Sequence, residues 1–180
     1  FPFHDYDYSL DVTRQTALMP DVKPLSEGLK ESYGWFRENR DAVVRKQIAD
    51  NLNSRFATSF RPENLYMTVG AAASLCCCLN GLCNPGDEVI VFAPFFPEYR
   101  VFIEGAGAKM TMIPADTEAF QIDFAAFEAA INEKTKAVIV NSPNNPSGTL
   151  YSEDTVKKLA SVLEDASKKF GQPIFLLADE

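Results

Sequence analysis

Four stretches of this chain put chemically versatile groups directly behind apolar runs. "VNSPNNPSGTLY" (Val140 to Tyr151) places the amides of Asn144 and Asn145 after Ala137-Val138-Ile139-Val140. "LLADE" places the Asp179 carboxylate after Leu176 and Leu177, and a carboxylate leaving a dry strand is costly unless it is paired or hydrogen-bonded. "APFFPEY" offers the rings of Phe95 and Phe96, and a flat heteroaromatic ligand uses such a ring as a stacking face. "TVGAAASL" sets Gly70 at a strand-to-helix junction, where successive free N–H groups and the helix dipole hold a phosphate. Small Ala71 and Ala72 let an anion approach that backbone. Each stretch also has a plainer reading: an Asn-Pro-Gly turn, core aromatics, a tight strand–helix connection. "TVGAAASL" is not a P-loop, since it lacks the lysine and the glycine spacing.

These groups act together only if the intervening elements bring them together. Val44, Ile48, Leu52 and Phe56 recur every four residues and predict a helix from Asp41. A short strand is expected near Leu65 to Val69. "AAASLCCCLNGLC" then reads as a buried helix, small and apolar almost all round. "NPGDEVIVFAP" predicts a turn and a strand over Glu88 to Phe92, followed by a helix over Glu98 to Glu104 and a strand in "GAGAKMTMIPA". Asp123 is placed to cap a helix that carries Phe124, Phe127 and Ile131 on one face. Lys136 to Asn141 reads as a strand. Ser152 caps the longest helix, with Glu153 and Asp154 in its first turn, Lys168 and Lys169 in its last, and Gly171 as its stop, an order that complements the helix dipole. Pro173 to Ala178 is the last expected strand. Strands alternating with helices at this spacing predict an α/β fold, a mostly parallel sheet flanked by helices. In open sheets of that kind, ligands bind beyond the carboxyl ends of the strands. Gly70 to Ala72, Phe96, Asn145 and Asp179 are therefore expected around one cleft at that edge.

Composition narrows the classes. Of 180 residues, 46% are hydrophobic and 23% charged, which is the make-up of an ordinary folded domain. A formal net charge of -8, with no long basic run, argues against nucleic acid and anionic membrane as partners. No apolar stretch approaches the roughly 20 residues of a membrane helix, and no signal-peptide pattern opens the chain. Cys76, Cys77, Cys78 and Cys83 are too close together for a secreted disulfide framework, and the single histidine, His4, is remote, so no metal site is expected. They read as small core residues of a cytoplasmic protein. Residues 1 to 40 are irregular, broken by Pro2, Pro20, Pro24 and Gly28. The chain starts at Phe1 and stops at Asp179-Glu180, at the end of a strand, so it is expected to be a piece of a larger protein.

A phosphate holder, a ring stacker, an amide donor and a carboxylate together describe a site for pyridoxal 5'-phosphate. In "TVGAAASL", "NPGDEVIVFAPFFPEY", "KAVIVNSPNNPSGTLYSEDTVKKLA" and "LLADE", taken in that order over residues 40 to 180, the chain resembles the class I/II aminotransferases of the fold-type I pyridoxal-phosphate enzymes. The resemblance implies roles for individual residues. Ala71 and Ala72 match the positions whose backbone amides bind the cofactor phosphate. Phe96 matches the aromatic residue stacked on the pyridine ring, and Asn145 the amide bonded to its phenolic oxygen. Asp179 matches the carboxylate paired with the pyridine nitrogen, whose proton lets the ring accept electrons from the substrate's α-carbon. The resemblance also implies a Schiff-base lysine a few tens of residues past Asp179, beyond this sequence. Also missing are the family's tyrosine shortly after "ADE" and a C-terminal arginine for the substrate carboxylate. Lys157, Lys158, Lys168 and Lys169 fall on the polar face of a helix and are not candidates. No catalytic residue is therefore assigned within the chain, and the isolated 180 residues are expected to be inactive. "SYGWFRENR" does not match the family's Gly-Tyr segment cleanly, which leaves Tyr33 and Trp35 as loop or subunit-contact aromatics.

The expectation is thus the N-terminal part of an aminotransferase that moves an amino group between an amino acid and a 2-oxo acid. The resemblance implies a homodimer. Residues 1–40 would be a segment of the small domain or a subunit contact, and residues 41–180 an incomplete cofactor-binding large domain. Three alternatives stay open: another enzyme of the same cofactor (a β-lyase or a cyclopropane-forming synthase), a non-catalytic aminotransferase-like sensor module, and a nucleotide-binding α/β domain, which the missing glycine-rich fingerprint disfavours.

Overall fold

The computed structural model describes residues 42–115 and 120–180. The chain divides into two compact units, Phe1–Met67 and Thr68–Glu180. In the first, helix α1 covers residues 42–56, and a 3-10 turn covers Pro62–Asn64. The helix is the one expected from Val44, Ile48, Leu52 and Phe56, but its fully buried residue is Ala49, and Phe56 is 59% exposed. The strand expected at Leu65 to Val69 does not form. Leu65 is extended, at φ -110 and ψ 128, yet the run finds no ladder partner among the described residues. Extended backbone becomes a strand only when its N–H and C=O groups pair across to a neighbour.

The second unit is a parallel sheet flanked by helices. Its elements are helix α2 (Gly70–Leu82), strand β1 (Glu88–Phe92), helix α3 (Glu98–Gly105), strand β2 (Lys109–Ile113), helix α4 (Phe124–Ala130), strand β3 (Thr135–Asn141), helix α5 (Glu153–Phe170) and strand β4 (Phe175–Asp179). The four strands run parallel in the order β2-β1-β3-β4. β1 and β3 are central, and both are continuous apolar runs because both faces of such a strand are covered. Alternation along them sorts the core into two layers. Val89, Val91, Ala137 and Ile139 meet Leu75 and Leu79 of α2 and Tyr99 and Ile103 of α3. Ile90, Phe92 and Val138 meet Phe127 of α4 and Leu159 and Leu163 of α5.

Local chemistry sets the helix ends as expected. The Ala126 N–H donates to Asp123 Oδ1 at 3.0 Å, and the Thr155 N–H donates to Ser152 Oγ at 3.1 Å. Gly171 closes α5 in the left-handed region, at φ 69.

Among the described residues, helix α2 buries Leu75 and Leu79, while Cys77 and Cys78 are exposed. Cys83, at the far end of α2, has its thiol pKa pushed up, first by burial and then by Asp87, against the opposing pull of Lys136.

At the amino edge of the sheet, Glu88 ties three segments together. It receives Asn132 Nδ2 at 3.0 Å, Thr111 Oγ1 at 3.2 Å and Lys109 Nζ at 3.1 Å. The Asn132 hydrogen bond above all, then Lys109 and Thr111, hold its carboxyl below the usual glutamate range, against the opposing effect of burial. A carboxyl depressed in the folded state adds stability above its unfolded pKa, about 4.3 for glutamate, and loses it as pH falls through the folded value. Glu88→Gln is therefore expected to flatten the acid limb of a stability-against-pH curve measured by urea unfolding. An acid limb identical to that of the unaltered protein would show that the cluster contributes nothing.

Candidate cofactor site

Parallel strands deliver their carboxyl ends to one edge. Behind β1 comes Ala93–Pro97, behind β3 the Asn-Pro knot, and at the end of β4 stands Asp179. The peptides before Pro94, Pro143 and Pro146 are cis. β3 and β4 are in register with Asn141 opposite Asp179.

The Asp179 carboxylate is half-buried and has a dedicated donor. The Tyr99 hydroxyl, on the first turn of α3, donates to Asp179 Oδ2 at 2.5 Å. Tyr99 is 2% exposed. Burial first, then the hydrogen bond and charge of Asp179, drive its phenol pKa upward, so the hydroxyl keeps its proton and remains a donor. β4 is one edge of the described sheet, and the Asp179 carboxylate at its end is stabilised by the Tyr99 hydroxyl.

Within the knot, the two asparagines divide the work. Asn144 is 8% exposed and structural. Its Nδ2 donates to the Pro94 carbonyl at 3.0 Å, and its Oδ1 accepts from the Ser147 N–H and hydroxyl at 3.2 and 2.7 Å. Gly148, at φ 72, turns the chain so that its N–H reaches the Asn144 carbonyl at 2.6 Å. Asn145 has its backbone N–H on Asn141 Oδ1 at 2.5 Å, while its side-chain amide is exposed and takes no partner among the described residues. Asn141 Nδ2 in turn donates to the Asp179 carbonyl at 2.7 Å.

Helix α2 begins at Gly70, whose φ of 80 few other residues tolerate. Among the described residues, no side chain caps the N-terminus of α2, where Val69 stands at the cap position. Thr68 and Ser74 are joined hydroxyl to hydroxyl at 2.5 Å, and the Thr68 hydroxyl also donates to the Gly70 carbonyl. Ala71 and Ala72 lie exposed in that first turn. A cleft of about 340 Å³ separates the start of α2 from the end of β4, lined by Ala71, Ser74, Leu75 and Cys78 on one side and by Leu177 and Asp179 on the other.

Of the residues singled out from sequence, Ala71 and Asp179 thus share one cleft. Ala72 follows in the same helical turn but is not part of the lining. Phe96 and Asn145 do not line it either. Each is joined to Asp179 through one intermediary: Phe96 by an edge contact with Tyr99 (ring centroids 5.7 Å apart), Asn145 through Asn141. Sequence reasoning missed both intermediaries. The available signals were a tyrosine four residues before Ile103 on the apolar stripe of α3, and a polar residue ending a buried strand.

The donor set fits pyridoxal phosphate: uncapped amides beside small side chains for a phosphate, a carboxylate for a protonated ring nitrogen, an unpartnered amide for a phenolic oxygen, and an aromatic face. No described lysine lines the cleft. Lys157 and Lys168 pair with Glu153 and Glu164, and Lys158, Lys169 and Lys136 lie over the rings of Phe124, Phe170 and Phe175. Lys109 is on Glu88. Among the described residues, no helix is long and apolar enough to cross a membrane.

The profile of the family described as aminotransferase class I and II matches residues 11–169. This chain belongs to that family. It is 40% identical over 118 residues to a protein named "Probable kynurenine--oxoglutarate transaminase BNA3" from Saccharomyces cerevisiae, covering 59% of this chain and 27% of that protein. It is 30% identical over 140 residues to the aspartate aminotransferase of Sulfurisphaera tokodaii, covering 76% of this chain and 33% of the relative. Among solved structures, an amino transferase from Eubacterium rectale superposes with a TM-score of 0.74 at 39% identity, over 96% of this chain and 55% of that one. The aspartate aminotransferase of Thermus thermophilus with maleate gives 0.69 at 31%, over 76% and 34%. The chain therefore spans about a quarter to a third of these two curated relatives and at most about half of these two solved chains.

Proposed function

We propose that the protein to which these residues belong is a pyridoxal-phosphate-dependent aminotransferase, acting on an amino acid and a 2-oxo acid as a cytoplasmic homodimer. The observation that carries this reading is the cleft shared by the uncapped start of α2 and the Asp179 carboxylate, at the carboxyl edge of a parallel sheet in a chain of this family. Residues 41–180 are read as part of the cofactor-binding domain, and residues 1–40, which lie outside the described residues, as a small-domain or subunit-contact segment.

When bound, the cofactor supplies an electron sink for the substrate's α-carbon. The residues of this chain hold and tune it. The first-turn amides of α2 at Ala71 and Ala72 hold its phosphate, aided by the helix dipole. Asp179 keeps a proton on the ring nitrogen. The Asn145 amide donates to the phenolic oxygen, and Phe96 packs on the ring face.

The test is product analysis on the full-length protein. A panel of amino acids with a 2-oxo acid acceptor should yield a new oxo acid and an aminated acceptor in equal amounts. Release of ammonia instead would overturn the transaminase assignment, and failure to retain pyridoxal phosphate would overturn the site. A second expected result concerns Asn145→Ala. Its amide stabilises the phenolate form of the bound cofactor, so without it the protonated form persists to higher pH. The visible absorbance band should then titrate at higher pH than in the unaltered protein. An unchanged titration with cofactor bound would remove Asn145 from the site.

A further inference from the structure

We infer that Tyr99 and Asn141 are positioning residues that hold the Asp179 carboxylate and the backbone from which the Asn145 side chain projects in fixed relation as one hydrogen-bonded chain, an inference that rests on the cofactor reading above. Three bonds make the chain. The Tyr99 hydroxyl donates to Asp179 Oδ2, Asn141 Nδ2 donates to the Asp179 carbonyl, and Asn141 Oδ1 accepts from the Asn145 N–H, at 2.5, 2.7 and 2.5 Å. They link α3, the ends of β4 and β3, and the loop behind β3.

The chemistry of each link is specific. A carboxylate at a strand end rotates about its Cβ–Cγ bond unless one oxygen is engaged. Tyr99 engages Oδ2 and leaves Oδ1 without a partner among the described residues, as the single acceptor turned over to a ring N–H. A phenol suits that task, because this one is buried, immobilised by its contacts in the core, and unable to compete for the ring's proton by ionising. The same ring meets Phe96 edge-on, so one residue braces both the carboxylate and the stacking ring. Asn141 carries a donor and an acceptor on one rigid amide, which lets it clamp two neighbours at once. Outer groups of this kind fix the orientation of the inner ones, and around metal ligands the loss of such a group typically lowers affinity or activity by about 10- to 100-fold.

The experiment uses the full-length protein loaded with pyridoxal phosphate labelled with nitrogen-15 in the ring. Asp179→Ala should move the ring-nitrogen resonance fully toward the deprotonated position, and Tyr99→Phe part of the way. Tyr99→Phe should also speed cofactor dissociation and lower kcat by roughly tenfold with little change in KM. Asn141→Ala should shift the visible-band titration in the same direction as Asn145→Ala. If Asp179→Ala leaves the nitrogen resonance in place, the cofactor reading fails and this inference falls with it. If Asp179→Ala moves the resonance and Tyr99→Phe does not, the cofactor reading stands and Tyr99 has no positioning role. If Asn145→Ala shifts the titration and Asn141→Ala does not, Asn141 drops out of the chain. Urea unfolding of each variant separates these readings from a general loss of fold.

Discussion

Replacing Asp179 by alanine in the full-length protein is expected to lower kcat/KM by about 10²- to 10³-fold, the usual consequence of removing a preorganised charge from the place where reaction charge develops. In the proposed function the residue has that role by its position. It ends β4 at the carboxyl edge, lines the same cleft as the start of α2, and has one oxygen held by Tyr99. Asp179→Asn keeps the shape and a hydrogen-bonding group but removes the negative charge, so it should lose nearly as much as alanine. Asp179→Glu keeps the charge on a longer arm and should recover part of the activity. Steady-state kinetics of the three variants, with cofactor content measured in each, checks this. If asparagine restores full turnover, charge is not what Asp179 contributes, and the ring-nitrogen role is wrong.

The second large effect is on stability. Phe127→Ala is expected to reduce the unfolding free energy by about 3–5 kcal/mol, the range found for deleting a buried aromatic side chain. Phe127 is completely buried, meets Phe92 edge-on at 5.1 Å and Phe124 at 6.4 Å, and fills the layer between α4, α5 and the sheet. α4 has only seven residues, too short to persist without that anchor. Phe56→Ala, at a ring 59% exposed, should change stability by no more than about 0.5 kcal/mol. Urea unfolding with unchanged slope is the measurement. Equal costs at the two positions would mean that the layer beneath α4 is not packed as described.

The two effects fall on different parts of the molecule. The layer around Phe127 holds β1 and β3 from the face opposite Tyr99, and the strands carry that support through to the edge where Asp179 and the knot stand. A variant that loosens the layer should lower activity only in step with stability, whereas changes at Asp179, Tyr99 and Asn145 should lower activity by more than their loss of stability accounts for.

By itself the sequence determined every element whose signal is local. β1 was legible in "EVIVF" and β3 in "KAVIVN" because a strand covered on both faces needs an unbroken apolar, β-branched run. α4 and α5 were legible in their caps, Asp123 and Ser152, and in the stop at Gly171, because these side chains and φ preferences act within a few residues of themselves. The alternation of strands and helices was enough to put Phe96, Asn145 and Asp179 at or just behind the carboxyl ends of parallel strands, whereas the strand expected ahead of Gly70 does not form. Only the tertiary structure decided the rest, for reasons that are not local. Leu65 to Val69 has the composition of a strand but no ladder partner among the described residues. α2 is apolar all round, so only the structure shows that the Leu75 and Leu79 stripe is the one that meets the sheet. Tyr99 and Asn141 stayed hidden because their bonds to Asp179 span 80 and 38 positions of chain. A tyrosine in an apolar stripe and an asparagine at a strand end carry no mark of the partner that folding brings to them.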